Sequence, residues 1–319
     1  MTDAGKAARA ILGAERPGTW VPRPGSGATV ERFRYLAEHT RDDIPVGRVL
    51  EAHLDAVVIA AELDGPVVGD DQLWGVWAAE PPSPLLTARR NGGRWTLCGT
   101  KPWCSAASSA THALVTARVG DTRPLFAVDL AHAGIGVGET SWHAAGMSRT
   151  DTRKVHFDGV PGTPVGGADD YLRRPGFWHG GVGVAACWLG GATGVADRLR
   201  SRVTADPDPI LLAQLGCVDA WLATGAAALR DAAAVIDADP RSVAVARRTA
   251  MRTRWVVEQV AGAVTAEVGE ALGPGPLVTD AAHAARVADL TVYLRQSHGV
   301  RDLVDLGRVV AGTEPGPVL

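Results

Sequence analysis

The stretch LCGTKPWCSAASSATHALV, Leu97 to Val115, puts a Lys-Pro-Trp turn directly after a short β-like run and follows it with hydroxyls and small residues. A core strand carries more branched apolar residues than this. A linker carries no tryptophan. The mixture describes a surface shaped to receive something flat with a polar edge, because an indole offers an apolar wall and a hydroxyl both donates and accepts.

Outward from this stretch the chain changes character twice. From Thr29 to Leu63 apolar residues recur three and four apart (Phe33, Leu36, then Val49, Leu50, Leu54, Val57, Val58), the spacing of two amphipathic helices, the second capped by Asp42-Asp43. From Leu73 to Pro164 short alternating runs such as RWTLCG, THALVTARV, PLFAVDL and RKVHFDGV are separated by Gly, Asn, Asp and Pro turns about every ten residues, which predicts a sandwich or barrel. RNGGRW reads as a hairpin with Asn91-Gly92 at its tip. Beyond Gly180 the sequence is Ala-rich, and its spacing predicts four long helices over Val182–Val203, Ile210–Asp237, Ser242–Leu272 and Asp280–Arg308, with breaks at ADPDP, DADP and GPGP. The predicted division is a helical segment over 1–70, a β-barrel over 71–168 and a helical bundle over 169–319.

Composition narrows the function classes. The 319 residues are 46% hydrophobic and 21% charged with a net charge of −3, enough for a full core and without the basic footprint of a nucleic-acid or acidic-membrane binder. Cys98, Cys104, Cys187 and Cys217 lack metal-site spacing and read as buried free thiols in a reducing compartment; no metal is expected. No signal-peptide pattern opens the chain, and no apolar run reaches the roughly 20 residues of a membrane span. Together these readings predict a cytoplasmic protein. Gly181-x-Gly183-x-x-Ala186 has the letters of a dinucleotide fingerprint but lacks the preceding strand and the following acid. No nucleophile elbow, P-loop or two-His zinc helix is present, so hydrolase chemistry has no support. Glu51, His53 and Asp55 are expected on a solvated or subunit-facing helix surface.

Three segments in order, WGVWAAEPP, GGRWTLCGTKPWCSAAS and GMSRTDTRKVHFDGVPGTPVGG, resemble the middle domain of the acyl-CoA dehydrogenase superfamily, and the helical flanks match as well. The resemblance implies an α+β multidomain fold with a short N-terminal helical segment, a β-barrel middle domain and a C-terminal four-helix bundle. It implies a flavin, FAD or FMN, between barrel and bundle. Trp77, Ala79, Trp103 and Ser105 fall at cofactor-binding positions, with Trp103 along the isoalloxazine and Ser105 near the N5 edge. A homodimer or homotetramer completes the crevice in such proteins.

Departures from the family pattern shape the expected chemistry. Where the family continues into Gly-Ser-Asp, which helps hold the diphosphate, this chain reads EPPSPLL, Glu80 to Leu86, and Ala79 replaces a threonine. The N-terminal helical region is about half the family's usual length. The family's base is a glutamate that removes the substrate α-proton. Counting on from Arg286 and Asp289, the matching position falls near Gln296, Ser297 or His298, so His298 and Ser297 are the candidate catalytic residues. Three readings follow: α,β-dehydrogenation of an acyl thioester or related CoA- or carrier-linked acyl substrate, a flavin monooxygenase using reduced flavin and oxygen, or a degenerate subunit completing a partner's site.

Overall fold

The computed structural model describes residues 3–16, 20–80, 82, 83, 85–297 and 299–312. The chain divides into two compact units, one of residues up to Val21 together with Pro45–Phe177, the other of Pro22–Ile44 with the chain from Trp178 onward.

In the first unit, α1 (Ala4–Glu15) and α3 (Ile44–Glu62) accompany the strands β1 (Trp74–Trp77), β2 (Leu86–Asn91), β3 (Arg94–Cys104), β4 (His112–Thr116), β5 (Leu125–Asp129), β6 (Ile135–Val137) and β7 (Arg153–Val165). The sheet runs β1-β4-β5-β7-β3-β2 with β6 on β7; β1 and β4 are parallel and the other pairs antiparallel. Its two long strands, β3 and β7, carry the curvature. β7 pairs with β5 at Thr163–Val165 and with β3 and β6 nearer its start. At the other end of the path, β2 meets the chain just past β4: Ala88 N–H donates to Arg118 O at 3.0 Å and Arg118 N–H to Leu86 O at 2.9 Å. Gly99 marks a bulge in β3. Its φ of +119° and a Leu85 carbonyl 2.3 Å from where a Cβ would sit admit no side chain.

Inside the curl Leu86, Leu97, Val115, Phe126, Val155 and Phe157 form one core cluster. A second joins Ala4, Ala8 and Leu12 of α1 to Val49 and Leu50 of α3 and to Ala106, just past β3. The sequence reading did not foresee α1, whose Ala-rich face has too few large apolar residues to show a period. The hairpin tip is Gly92-Gly93 and not Asn91-Gly92: both glycines have positive φ, as a two-residue primed turn requires, while Asn91 still pairs with Arg94. The α3 acids are also not a solvated face. Glu51 is buried and bound to Arg48 at 2.7 Å, buried His53 accepts at Nδ1 from Trp74 N–H at 3.2 Å, and Asp55 lies 3.8 Å from Arg174.

The second unit contains α2 (Thr29–Asp42), most of α5 (Pro175–Arg200), α6 (Pro209–Ala238), α7 (Val243–Leu272), the short α8 (Gly275–Thr279), α9 (Ala281–Leu294) and α10 (Val300–Ala311); α4 (Asp170–Arg173) belongs to the first. Asp237 of α6 caps α2, accepting from Gly27 N, Thr29 N and Thr29 Oγ1 at 3.0, 3.0 and 2.6 Å. The fourth predicted helix is two helices: α9 ends at Leu294, and Gly299 takes a φ of +56° immediately before α10. Among the cysteines Cys104 and Cys187 are buried, but Cys98 is exposed and Cys217 half-buried, because Cys98 occupies an outward position of β3. One helix, α6, is long and apolar enough by length and composition to cross a membrane, with a window of mean hydropathy 1.4 that is 17% buried. Its repeated Ala, Leu and Gly reach that figure without the continuous large apolar run sought in the sequence.

Candidate functional site

Two segments of the first unit are tied into one structure around the end of β3. Ala106 N–H donates to Thr150 O at 2.7 Å, Ala107 N–H to Asp151 O at 3.2 Å and Ser108 N–H to Asp151 Oδ2 at 2.8 Å. Trp77 on β1 joins from a third direction, its indole Nε1–H donating to Ser105 O at 3.1 Å. Six non-glycine residues among those described have positive φ, and four of them are here: Trp103, Ala106, Met147 and Asp151, at +61°, +55°, +57° and +48°. Each such residue costs about 1–2 kcal/mol. Strain of this kind persists only where surrounding bonds over-determine the backbone, and it gathers at functional sites.

The sharp turn at Trp103 throws its side chain outward, where it is 58% exposed. The Trp142 ring stands edge-on to it, centroids 6.2 Å apart at 84°, and the Trp142 indole N–H is held by Gly146 O at 2.9 Å. The pair makes a right-angled aromatic corner. Trp77, by contrast, is fully buried in the sheet core, and Ala79 is exposed. Ser105 is half-buried and begins a row of hydroxyls: its Oγ lies 3.1 Å from Thr152 Oγ1, which lies 2.9 Å from Thr150 Oγ1, which donates to Met147 O at 2.7 Å.

Behind the turn, Lys101 is 2% exposed, and its Nζ donates to Glu80 Oε1 at 2.5 Å and to Thr116 O and Oγ1, both at 2.8 Å. Thr116 Oγ1 also donates to Glu80 at 2.6 Å. Burial pushes the Lys101 ammonium below the usual lysine range, opposed by its bond and attraction to Glu80. The network fixes the end of the Trp77–Glu80 segment against β3 and β4. Burial pushes the neighbouring Cys104 thiol well up, which removes it as a nucleophile.

Of the sequence candidates, Trp77, Trp103 and Ser105 come together in the first unit. Ser297 belongs to the second unit, in the turn after α9, where its Oγ accepts from Gly299 N–H at 3.2 Å. His298 lies outside the described residues. Sequence reasoning missed Trp142, Thr150, Thr152 and the Lys101–Glu80–Thr116 network. The hydroxyls of SRTDT were the one available signal, but which of them converge on Ser105 depends on pairing across β3 and β7. It also missed a cleft of about 590 Å³ in the second unit, lined among others by Arg198, Arg202, Asp208, Gln214, Glu270 and Thr279.

Comparison with known proteins fits this geometry. Residues 80–160 match the family model described as acyl-CoA dehydrogenase, middle domain. No curated protein matches the sequence. Among solved structures, the chain is similar to KijD3 in complex with FMN and dTDP-3-amino-2,3,6-trideoxy-4-keto-3-methyl-D-glucose (TM-score 0.80, 18% identity, covering 98% of this chain and 88% of that one). It is similar to butyryl-CoA dehydrogenase from Megasphaera elsdenii (0.79, 16%, 98% and 99%) and to TdsC from Paenibacillus sp. A11-2 with FMN and indole (0.77, 17%, 98% and 96%). Residues 80–160 thus match an acyl-CoA dehydrogenase middle domain, and nearly the whole chain shares the fold of these structures.

Proposed function

We propose that this chain is a flavin-dependent oxidoreductase that holds FAD or FMN with the isoalloxazine against Trp103 and its reactive edge at Ser105. The observation that carries the reading is the strained, exposed indole beside a hydroxyl: a large aromatic held in water by a left-handed backbone is costly twice over, and a flat apolar ligand with a polar rim offsets the exposure. The residues therefore fit the group. When bound, a flavin supplies the acceptance or delivery of two electrons. The chain's own residues wall the ring (Trp103), bond its edge (Ser105) and lock both in place (Trp77, Thr150, Asp151, and Lys101 with Glu80). The substrate is a small molecule, in the first instance an acyl group carried as a thioester, and the flavoproteins among the similar structures support the class.

A second reading, the flavin monooxygenase, is favoured by one specific observation. The segment from His283 to Gly307, where the resemblance puts the dehydrogenase base, contains no glutamate, and α-proton abstraction needs a base within hydrogen-bond reach. In either reading a second copy of the chain would cover α6.

Titration of the purified protein with FAD and with FMN, followed by tryptophan fluorescence, tests the cofactor. Saturable binding that weakens at least about tenfold in Trp103→Ala supports it; no binding of either flavin sinks it. Anaerobic mixing of the loaded protein with acyl thioesters then separates the reactions. Bleaching of the flavin absorbance means dehydrogenation, and turnover only with reduced flavin and oxygen means monooxygenation.

A further inference from the structure

The row of hydroxyls behind Ser105 has a direction. Met147 O is a carbonyl oxygen and only accepts, so the Thr150 Oγ1 hydroxyl at 2.7 Å donates to it. A hydroxyl has one proton. Thr150 must therefore accept across its 2.9 Å contact with Thr152, which commits the Thr152 proton. Thr152 in turn accepts from Ser105 at 3.1 Å. The Ser105 proton points into the protein, and the side of Ser105 left over presents lone pairs alone. Thr150, at the anchored end, is 2% exposed, so bulk water does not compete there to reverse the chain.

We propose that this Thr150–Thr152 relay makes Ser105 an acceptor and so selects the reduced form of the flavin over the oxidised form. The inference rests on the flavin reading above and deepens it. At the edge facing Ser105 a reduced flavin carries an N–H, which donates to a serine lone pair. An oxidised flavin carries a bare ring nitrogen, and lone pair against lone pair leaves both unsatisfied. One such bond made or missed corresponds to about a tenfold difference in dissociation constant, equivalent to a two-electron midpoint about 30 mV higher for the bound flavin than for the free one. Thr150 and Thr152 are thus positioning residues: they act through Ser105 and select the redox form of the ligand that the site takes.

The test is an anaerobic titration of wild type, Thr152→Val and Thr152→Ser with FAD and FMN, each oxidised and dithionite-reduced, read by tryptophan fluorescence. Wild type should prefer the reduced form about tenfold. Valine at 152 fills the same space but accepts nothing, so the Ser105 proton is free to turn outward. The preference should fall to about one, with oxidised flavin bound as tightly as in wild type or more so, which also shows that the variant is folded. Thr152→Ser restores the acceptor and should restore the preference. Equal wild-type affinities, or a preference that survives in Thr152→Val, would overturn the relay while leaving the flavin site standing. Failure of wild type to bind either redox form would overturn the flavin reading itself.

Discussion

The buried Trp77 indole donates its N–H to the carbonyl oxygen of Ser105 at 3.1 Å, so a core residue of β1 holds the backbone between the strained positions Trp103 and Ala106. The Lys101–Glu80–Thr116 network ties the same two segments a second time, Lys101 lying four residues before Ser105 and Glu80 three after Trp77. The outward indole of Trp103 is therefore presented by a scaffold bonded on both flanks, not by a free loop.

That relationship predicts the behaviour of Trp77→Phe. Phenylalanine keeps most of the apolar volume and removes the donor, leaving the Ser105 carbonyl without its indole bond. The expected cost is about 1–3 kcal/mol, read as a lower urea midpoint with an unchanged slope, together with weaker flavin binding. A variant that loses stability yet binds flavin as tightly as wild type would show that the bond supports the sheet and not the turn.

Trp103→Gly should separate stability from function. Glycine relieves the left-handed backbone but gives up the covered two-fifths of the indole, and the two effects offset, so stability should change by no more than about 1 kcal/mol. Flavin binding should fall sharply in the same variant. A loss of both would mean that the exposed ring is packed in solution against something that supports the fold.

How far the sequence foretold this arrangement follows from the range of the interactions. The positions of β3, β5 and β7, the two helices over 29–63 and the breaks at ADPDP and GPGP are local signals, and they were legible, although β5 buries Leu125 to Val128 without alternation. Trp103 and Ser105 were singled out through the motif around them. Three features depended on pairing between residues far apart in sequence. Trp142 reaches Trp103 and Thr152 reaches Ser105 only once β3 and β7 are in register. The charged face of α3 is buried only because Arg48, Arg174 and the Trp74 backbone meet it. The break between α9 and α10, by contrast, is signalled only by Gly299, a single glycine within an otherwise helical pattern.

Two glycine substitutions in the second unit should move stability in opposite directions. A Cβ on Gly190 of α5 would lie 2.1 Å from Ala37 O and 2.8 Å from Ala37 C and Cα of α2, all backbone that cannot step aside. Gly190→Ala should cost more than about 2 kcal/mol or prevent folding. Gly216 of α6 is exposed with nothing within 4 Å of its Cβ position, and Gly216→Ala should add about 0.5–1 kcal/mol through helix propensity. Chemical denaturation of both variants checks the contrast; equal effects would contradict the close approach of α2 and α5.

His283 on α9 should give the protein an acid-side loss of stability. Burial holds its imidazole below the ordinary histidine value of about 6.5, opposed by the Asp280 carboxylate and helped by Arg198 and Arg286. The sign follows from proton binding. Between the lowered folded value and 6.5 the unfolded chain is protonated at this residue and the folded chain is not, so acid favours unfolding. The contribution is fully present above about pH 7 and is lost as pH falls, by at most about 1.4 kcal/mol per pH unit for one proton. His283→Leu removes the titrating group but leaves the backbone N–H that Asp280 accepts at 3.0 Å, so the start of α9 stays capped. Urea midpoints measured at pH 7.5 and pH 5.5 should fall less in the variant than in wild type. An identical fall in both proteins would mean that the acid sensitivity resides in other groups and that His283 is protonated as readily in the fold as outside it.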